Sequence, residues 1–563
     1  MQRDGDARAG EETAGGEARD DAGRNVRRVA VPAVRLAPLR LFAVAIDVGR
    51  RLAIDLSARL RRDRLRPAIH AAGGQNDEER DASEHARSHS TLEARPEARG
   101  CRYCSCLKTL LLFVALLAAC SPGSNAGDGG ADASDESPPS WLGDAGLVAR
   151  DPVQVPLRAM CGIASNPGDF PLGADATSAA LRQGYFDSAN ALGGVMIRRD
   201  FTWNEIEPAK GTFDFTAYDE LVAEAESANV KLLGTLDYGV AWANAGSGGD
   251  VAYPPTDPQD YADYAAAVAA RYAGKVDDWE IWNEPNNGFR FWKPTLSGDP
   301  AAYGALLEDT FASIHAAAPS AHVLLGGTVF TPQLIEGAIP WLEDAYAAHQ
   351  DLATHFDVAG VHTYASYPPQ SPPELGELAD PPLDAKIQMH AWLLAQHGAA
   401  ATPIWITEIG WPVYDAVDEA TQARFTVRAT LVAARQGASG VFWYTLRDGP
   451  NPTAFPPEDA FGLLHHDSSP KPVFTALQAM LTVLGDLAPQ ADAAPISLPD
   501  DARAVVFRGN GKTVVAAWTI ASSETITWNG PSATVLDQSG AQTGTIAEGA
   551  PLALGPDVTY VVE

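Results

Sequence analysis

Beyond residue 120 the chain has almost no cysteine: Cys101, Cys104, Cys106 and Cys120 lie early, and Cys161 stands alone in the body that follows. No disulfide framework can brace that body, so its stability has to come from an apolar core. Cys161 follows Met160 in an apolar stretch and reads as an inert buried thiol. Basic residues are scarce as well. Residues 1–106 hold 20 of the 41 Lys and Arg but only 17 of the 72 acids, so the formal charge of −31 falls on the body. Such a surface repels nucleic acid and anionic lipid and favours neutral or cationic ligands. No Gly-x-Gly-x-x-Gly or Walker loop follows any strand candidate, which leaves a nucleotide-binding reading without support. Cys101, Cys104 and Cys106 have no second ligand cluster at zinc-site spacing, and no metal or cofactor is expected.

Apolar runs long enough to span a bilayer are also missing. The longest, residues 107–119, carries Lys108 and has the length of a signal-peptide core. Its end, Leu117-Ala118-Ala119-Cys120, resembles the bacterial lipoprotein cleavage box, which implies lipidation at Cys120 and an exported protein held at the cell envelope. Residues 121–150 are rich in Gly, Ser, Asp and Ala and read as a flexible linker. Residues 1–106 sit oddly upstream of an export signal. They read as a disordered or untranslated extension, the alternative being a cytosolic arm with an amphipathic helix near Leu39 to Leu65.

From residue 151 to 486 short apolar runs alternate with helix-length amphipathic ones. Strand candidates are Leu157–Ile163, Val195–Arg199, Val230–Leu236, Val276–Asn283, Val323–Thr328, Val358–Thr363, Pro403–Glu408 and Gly440–Thr445. Helical stretches such as Ala217–Ala228, Asp260–Tyr272, Ala302–Ala317, Asp384–Gln396 and Glu419–Gln436 fall between them. This alternation predicts an α/β fold, a (β/α)₈ TIM barrel. Residues 487–563 change texture to short strands separated by Gly, Asn, Asp and Pro turns, and predict a small β-sandwich that braces the barrel. A monomer is expected.

Active sites of such barrels lie at the C-terminal ends of the strands. Two glutamates stand there. Glu284, in Trp279-Glu-Ile-Trp-Asn-Glu-Pro-Asn286, follows the fourth strand, and Glu408, in Ile404-Trp-Ile-Thr-Glu-Ile-Gly410, ends the seventh. Two carboxylates converging on one mouth suit acetal hydrolysis, one protonating the leaving oxygen while the other attacks the anomeric carbon. The Asn-Glu-Pro and Thr-Glu-x-Gly motifs resemble those of clan A glycoside hydrolases, and the run from Arg198 onward resembles the cellulase-like and β-xylosidase-like families 5 and 39. That resemblance implies a retaining glycosidase acting on a β-linked saccharide, with Glu284 as acid/base and Glu408 as nucleophile. A transglycosylase using the same glutamates and a non-catalytic glycan-binding lipoprotein are the alternatives.

The resemblance carries further residues. Asn283 is expected to bond the sugar 2-hydroxyl, and Arg198 to keep the nucleophile ionised. His362 and Tyr364 are expected to bond the nucleophile or the sugar, and Trp443 to form an aromatic floor under the reacting ring. Arg198, His362 and Trp443 also have plainer readings, as a surface arginine, a satisfied histidine and a core tryptophan. Trp242, Tyr253, Phe289, Phe291 and Trp292 crowd the loops after strands three and four, where at least one, with Trp242 as the candidate, should face substrate. Trp203-Asn-Glu-Ile-Glu207 also contains Trp-Asn-Glu, but its context is a turn, and Glu205 and Glu207 are expected to be structural. Glu280 shares strand parity with Glu284 and is expected to be a buried support. His465 and His466 lack a third ligand in register and read as structural. The assigned roles require Glu284 to hold a proton near neutrality while Glu408 stays ionised.

Overall fold

The computed structural model describes residues 150–166, 170–330, 337–365, 368–376 and 380–563. The lipidation candidate Cys120 and the assignments for residues 1–106, 107–120 and 121–149 lie outside them. Among the described residues no helix is long and apolar enough to cross a membrane.

Eight parallel strands close into a barrel: β1 Cys161–Ala164, β2 Met196–Thr202, β3 Leu232–Asp237, β4 Asp278–Ile281, β5 His322–Val329, β6 Val358–His362, β7 Ile404–Ile409 and β8 Gly440–Tyr444. All eight expected strands are present. Two were drawn too long: Leu157–Met160 is a helical turn ahead of β1, and Val276–Asn283 overruns β4 at both ends. The helices Ala176–Ala191, Pro258–Arg271, Pro300–Ala317 and Glu419–Arg435 start on Asp175, Asp257, Asp299 and Asp418, whose carboxylates accept first-turn backbone N–H groups. Each such cap contributes about 1 kcal/mol and fixes where the chain turns from loop to helix. Two of these helices also open on proline, where a missing N–H costs nothing.

Side-chain alternation divides the barrel strands between two environments. Outward residues such as Ile163, Ile197, Trp279 and Val441 join the main apolar layer against the helices. Inward residues Ala164, Leu233, Leu324, Val358 and Phe442 form a small plug at the barrel floor. Gly162 belongs to this plug, since a Cβ there would meet the Phe442 ring at 2.3 Å. Above the plug the interior turns polar. Register shifts interrupt pairing at Leu325/Thr328, Val361/His362 and Ile406/Ile409. Such irregularities re-aim side chains. Here they allow consecutive Thr407 and Glu408 both to bond groups inside the barrel.

The C-terminal region forms a six-stranded antiparallel sheet, in the order β14-β13-β16-β11-β10-β9, and a two-stranded one, β12-β15. Its strands are β9 Ala488–Pro489, β10 Ala502–Gly509, β11 Lys512–Thr519, β12 Glu524–Thr527, β13 Ala533–Leu536, β14 Gln542–Ile546, β15 Pro551–Leu554 and β16 Thr559–Val562. One face encloses Trp528 in a core of its own. The other brings Val505, Phe507, Val514, Trp518 and Tyr560 into the barrel's apolar layer. A buried ion pair seals this junction: Arg428 of the helix Glu419–Arg435 grips Glu374, which also accepts the Trp518 indole N–H at 2.8 Å. Both tryptophans are consumed by packing, which fits a bracing role.

Candidate active site

The polar layer is organised by Arg198, from β2. Its Nε donates to Glu280 Oε2 at 2.5 Å, one terminal nitrogen to Glu408 Oε1 at 2.7 Å, and the other to Asn283 Oδ1 at 3.0 Å. Burial works against the guanidinium charge, but the charges of Glu280 and Glu408 outweigh it and hold Arg198 protonated. Glu280, fully buried, takes three further donors: Thr235 Oγ1 at 3.1 Å, the Gly327 N–H at 3.1 Å and Thr407 Oγ1 at 2.7 Å. It is the support that strand parity suggested, linking β2, β3, β5 and β7 beneath the mouth.

Glu408 receives a second donor, Tyr364 Oη, at 2.7 Å. Burial and the Glu408 charge raise the Tyr364 phenol well above its usual range, so it remains a donor. Across the mouth Glu284 Oε1 lies 3.0 Å from His362 Nδ1, and Oε2 accepts Asn287 Nδ2 at 2.8 Å. The same imidazole nitrogen is 3.7 Å from Glu408 Oε2. The chain reaches this position through a strained exit from β4, with Trp282 at φ 68° and Glu284 at φ 44°. Left-handed backbone at non-glycine residues costs about 1–3 kcal/mol each and persists where surrounding packing dictates it. Trp282 and Trp292 supply that packing, buried and edge-on at 4.9 Å.

The proton is placed differently from what the assigned roles demand. Burial would raise the Glu284 carboxyl, but the hydrogen bond and charge of His362, with Asn287, hold it below its ordinary value. Burial depresses His362, yet Glu408 and Glu284 together raise it above the usual 6.5. The two shifts together favour an ionised Glu284 accepting from His362 Nδ1, so the proton that the assigned roles place on Glu284 is shared within the pair.

Trp443 requires correction. Its indole N–H donates to Thr430 Oγ1 at 3.0 Å, on the helix Glu419–Arg435, and its ring belongs to the outer apolar layer. The neighbouring Tyr444 faces inward instead, its hydroxyl accepting Asn166 Nδ2 at 3.1 Å and its ring edge-on to Tyr364. Trp242 is held by its N–H on the Glu207 carbonyl, at 2.9 Å, and edge-on to Trp203. That fixes it to the loop after β2. Trp292 is a plug, Phe291 stacks on Tyr238 at 5.5 Å, and Phe289 is exposed. Glu207 accepts the Trp203 indole N–H and the Gly211 N–H, and Glu205 accepts the Tyr218 hydroxyl. Glu205→Gln should therefore retain most activity against any substrate the wild type turns over; a loss equal to that of Glu284→Gln would reverse the assignment.

Three groups at the mouth carried no motif in the sequence: Tyr238, whose hydroxyl accepts Asn283 Nδ2 at 3.1 Å, Asn287, and Tyr444. Asn287 could have been found from its place three residues after Glu284. Asp200, within β2, and Asp237, at the end of β3, are buried, and burial raises the carboxyls of both against the opposing charges of Arg198 and Arg199. Among the described residues, two groups could each offer three atoms to a cation: Glu284, His362 and Glu408, and the outlying Glu308, Asp351 and His355. In the first, three of the four carboxylate oxygens already accept N–H or O–H donors from Arg198, Tyr364 and Asn287, which suits a proton-transfer pair better than a metal.

No protein-family profile matches the chain, and no curated protein sequence does. Solved structures do. A family 39 glycoside hydrolase from the gut symbiont Bacteroides cellulosilyticus WH2 is 22% identical, over 74% of this chain and 83% of its own, with a TM-score of 0.58. A family 39 β-xylosidase from Caulobacter crescentus is 17% identical, over 74% and 97%, at 0.53. A family 39 enzyme from Xanthomonas axonopodis pv. citri is also 17% identical, over 74% and 95%, at 0.51. Identities this low speak for the fold alone, a (β/α)₈ barrel that the chain shares with these glycoside hydrolases.

Proposed function

We propose that the protein is a retaining glycoside hydrolase that cleaves a β-linked saccharide by double displacement. The observation that carries this reading is spacing. The Glu284 and Glu408 carboxylates and the His362 ring each present an atom within 4.8 Å of the other two. Carboxyl groups about 5–5.5 Å apart suit a covalent glycosyl-enzyme intermediate, whereas inversion needs about 6.5–9.5 Å to seat a water between them. Glu408, flanked by Arg198 and Tyr364, attacks the anomeric carbon. Glu284 takes the His362 proton and delivers it to the leaving oxygen, then accepts a proton from the water that releases the sugar. Asn283, fixed between Arg198 and Tyr238, is the group to bond a sugar hydroxyl beside Glu284. The acidic surroundings favour an uncharged sugar, and the β-xylosidase neighbour makes an aryl β-xyloside the first substrate to try.

The test is covalent trapping with 2-fluoro aryl glycosides followed by peptide mass spectrometry. Label on Glu408 is expected; turnover without label, or label elsewhere, removes the assignment. A second expectation concerns pH. Activity requires Glu408 ionised and one proton held by the Glu284–His362 pair. His362 is raised, so that proton is lost only as pH climbs above the usual 6.5, and kcat/KM should fall on that side. In His362→Asn the alkaline limb should move, whereas an unmoved limb would show that His362 does not hold the proton.

We also propose that the protein is exported and anchored through lipid on Cys120. Palmitate labelling that survives in Cys120→Ala would overturn the anchor.

A further inference from the structure

The loops that follow β4 and β8 leave the barrel on opposite sides, since four strand positions separate them in either direction around the closed sheet. They nevertheless meet. Arg290, from the first loop, places a guanidinium nitrogen 3.3 Å from Glu458 Oε1 in the second.

Each loop is anchored separately. On the β4 side the Arg290 and Phe291 N–H groups both return to the Asn287 carbonyl, the Phe291 carbonyl accepts the Trp282 indole N–H at 3.0 Å, and Trp292 is buried beneath. On the β8 side Asp459 accepts the Asn451 N–H through its carboxylate and the Gly449 N–H through its carbonyl, both at 2.9 Å. The Ala460 carbonyl then accepts Val413 N–H at 3.0 Å, tying this loop to the one after β7. Because Asn287 also holds Glu284, the span stands over the acid/base and not at a remote rim. Arg290 lies within electrostatic reach of Glu284, Tyr238 and Tyr444.

We propose that these two loops, joined by Arg290 and Glu458, roof the barrel mouth into a pocket that admits only the end of a saccharide chain, so that the enzyme removes terminal sugars. The proposal rests on the hydrolase reading above and deepens it. Cutting inside a chain requires sugars on both sides of the scissile bond, lying in an open groove. The middle of a polymer cannot enter sideways beneath a closed span; only a free end can. The ion pair acts as a latch on the loop tips, because its side chains are 53% and 30% exposed and such a pair adds little. The anchored backbones bring the two loops together, and the pair keeps their tips closed. Phe289 and Phe455, 62% and 64% exposed, come from the same two loops and give the pocket's rim apolar surface on which a sugar ring can stack.

The experiment uses the full chain with xylopentaose and cellopentaose tagged at the reducing end, each with the other end free or carrying a bulky 4-O-benzyl ether. Wild type should shorten free chains one sugar at a time and leave capped chains intact. In Glu458→Ala, cleavage of capped relative to free chains should rise about fivefold, the most an exposed ion pair can contribute, with an unchanged melting temperature. Equal cleavage of free and capped chains by wild type, or an unchanged ratio in Glu458→Ala, overturns the roof. Failure to turn over any free chain or aryl glycoside instead overturns the hydrolase reading, and the roof's role falls with it.

Discussion

Under the proposed double displacement, Glu408→Ala should lower glycoside turnover by about 10⁴–10⁶-fold while leaving the fold intact, since among the described residues nothing replaces the attacking carboxylate. Glu284→Ala should behave differently. Loss of a general acid costs about 10²–10⁴-fold, and less with an aryl leaving group that needs no proton. Azide separates the two roles by stereochemistry. In Glu284→Ala the glycosyl-enzyme still forms, and azide attacks it from the face that water uses, giving a product of retained configuration. In Glu408→Ala no intermediate forms, and azide entering the vacated nucleophile side gives the inverted product. Swapped outcomes would exchange the roles of the two glutamates, and inverted product from both would remove the double-displacement reading.

Arg198→Met should be the most destabilising single change in the barrel interior. It leaves Glu280, fully buried, and Glu408, 9% exposed, without the cation that faces both. Stranding buried charge in this way costs about 3–5 kcal/mol, enough to lower the melting temperature by roughly 5 °C in a domain of this size. The double variant Arg198→Met, Glu280→Gln should recover part of that stability, because one of the stranded charges is gone, yet stay inactive, because Glu408 still lacks its support. Additive losses in the cycle would mean that the Arg198–Glu280 contact contributes no coupling.

Most of the barrel was legible because each strand is a short apolar run that stops at a polar residue, and each helix a longer run. The first strand was overdrawn for the same reason: Leu157–Met160 is apolar enough for either state, and four residues are too few to reveal a period. Strand parity placed Glu280 correctly, since β4 carries it between the outward-facing Trp279 and Ile281. It failed in β8. Gly440-Val-Phe-Trp-Tyr444 is apolar on both faces, so nothing in the composition says that Phe442 and Tyr444 turn inward while Trp443 meets the helices. The direction of the Glu284 shift was also beyond the sequence. It depends on a 3.0 Å contact between groups 78 residues apart. Tyr238, Asn287 and Arg290 lie on loops whose course no periodicity records.

The place of β16 bears on how the molecule is made. Thr559–Val562 follows the sheet's other strands in sequence, yet it lies inside the six-stranded sheet, hydrogen-bonded to β11 on one side and β13 on the other. Until those residues leave the ribosome, β11 and β13 expose unpaired edges, and Val514 and Trp518 beside them wait on a sheet that cannot yet close. The barrel's helix layer, which shares its apolar contacts with that sheet, is synthesised long before its brace is complete. Deleting Thr559–Val562 should therefore strip β11 and β13 of their shared partner and lower the resistance of the sheet to proteolysis.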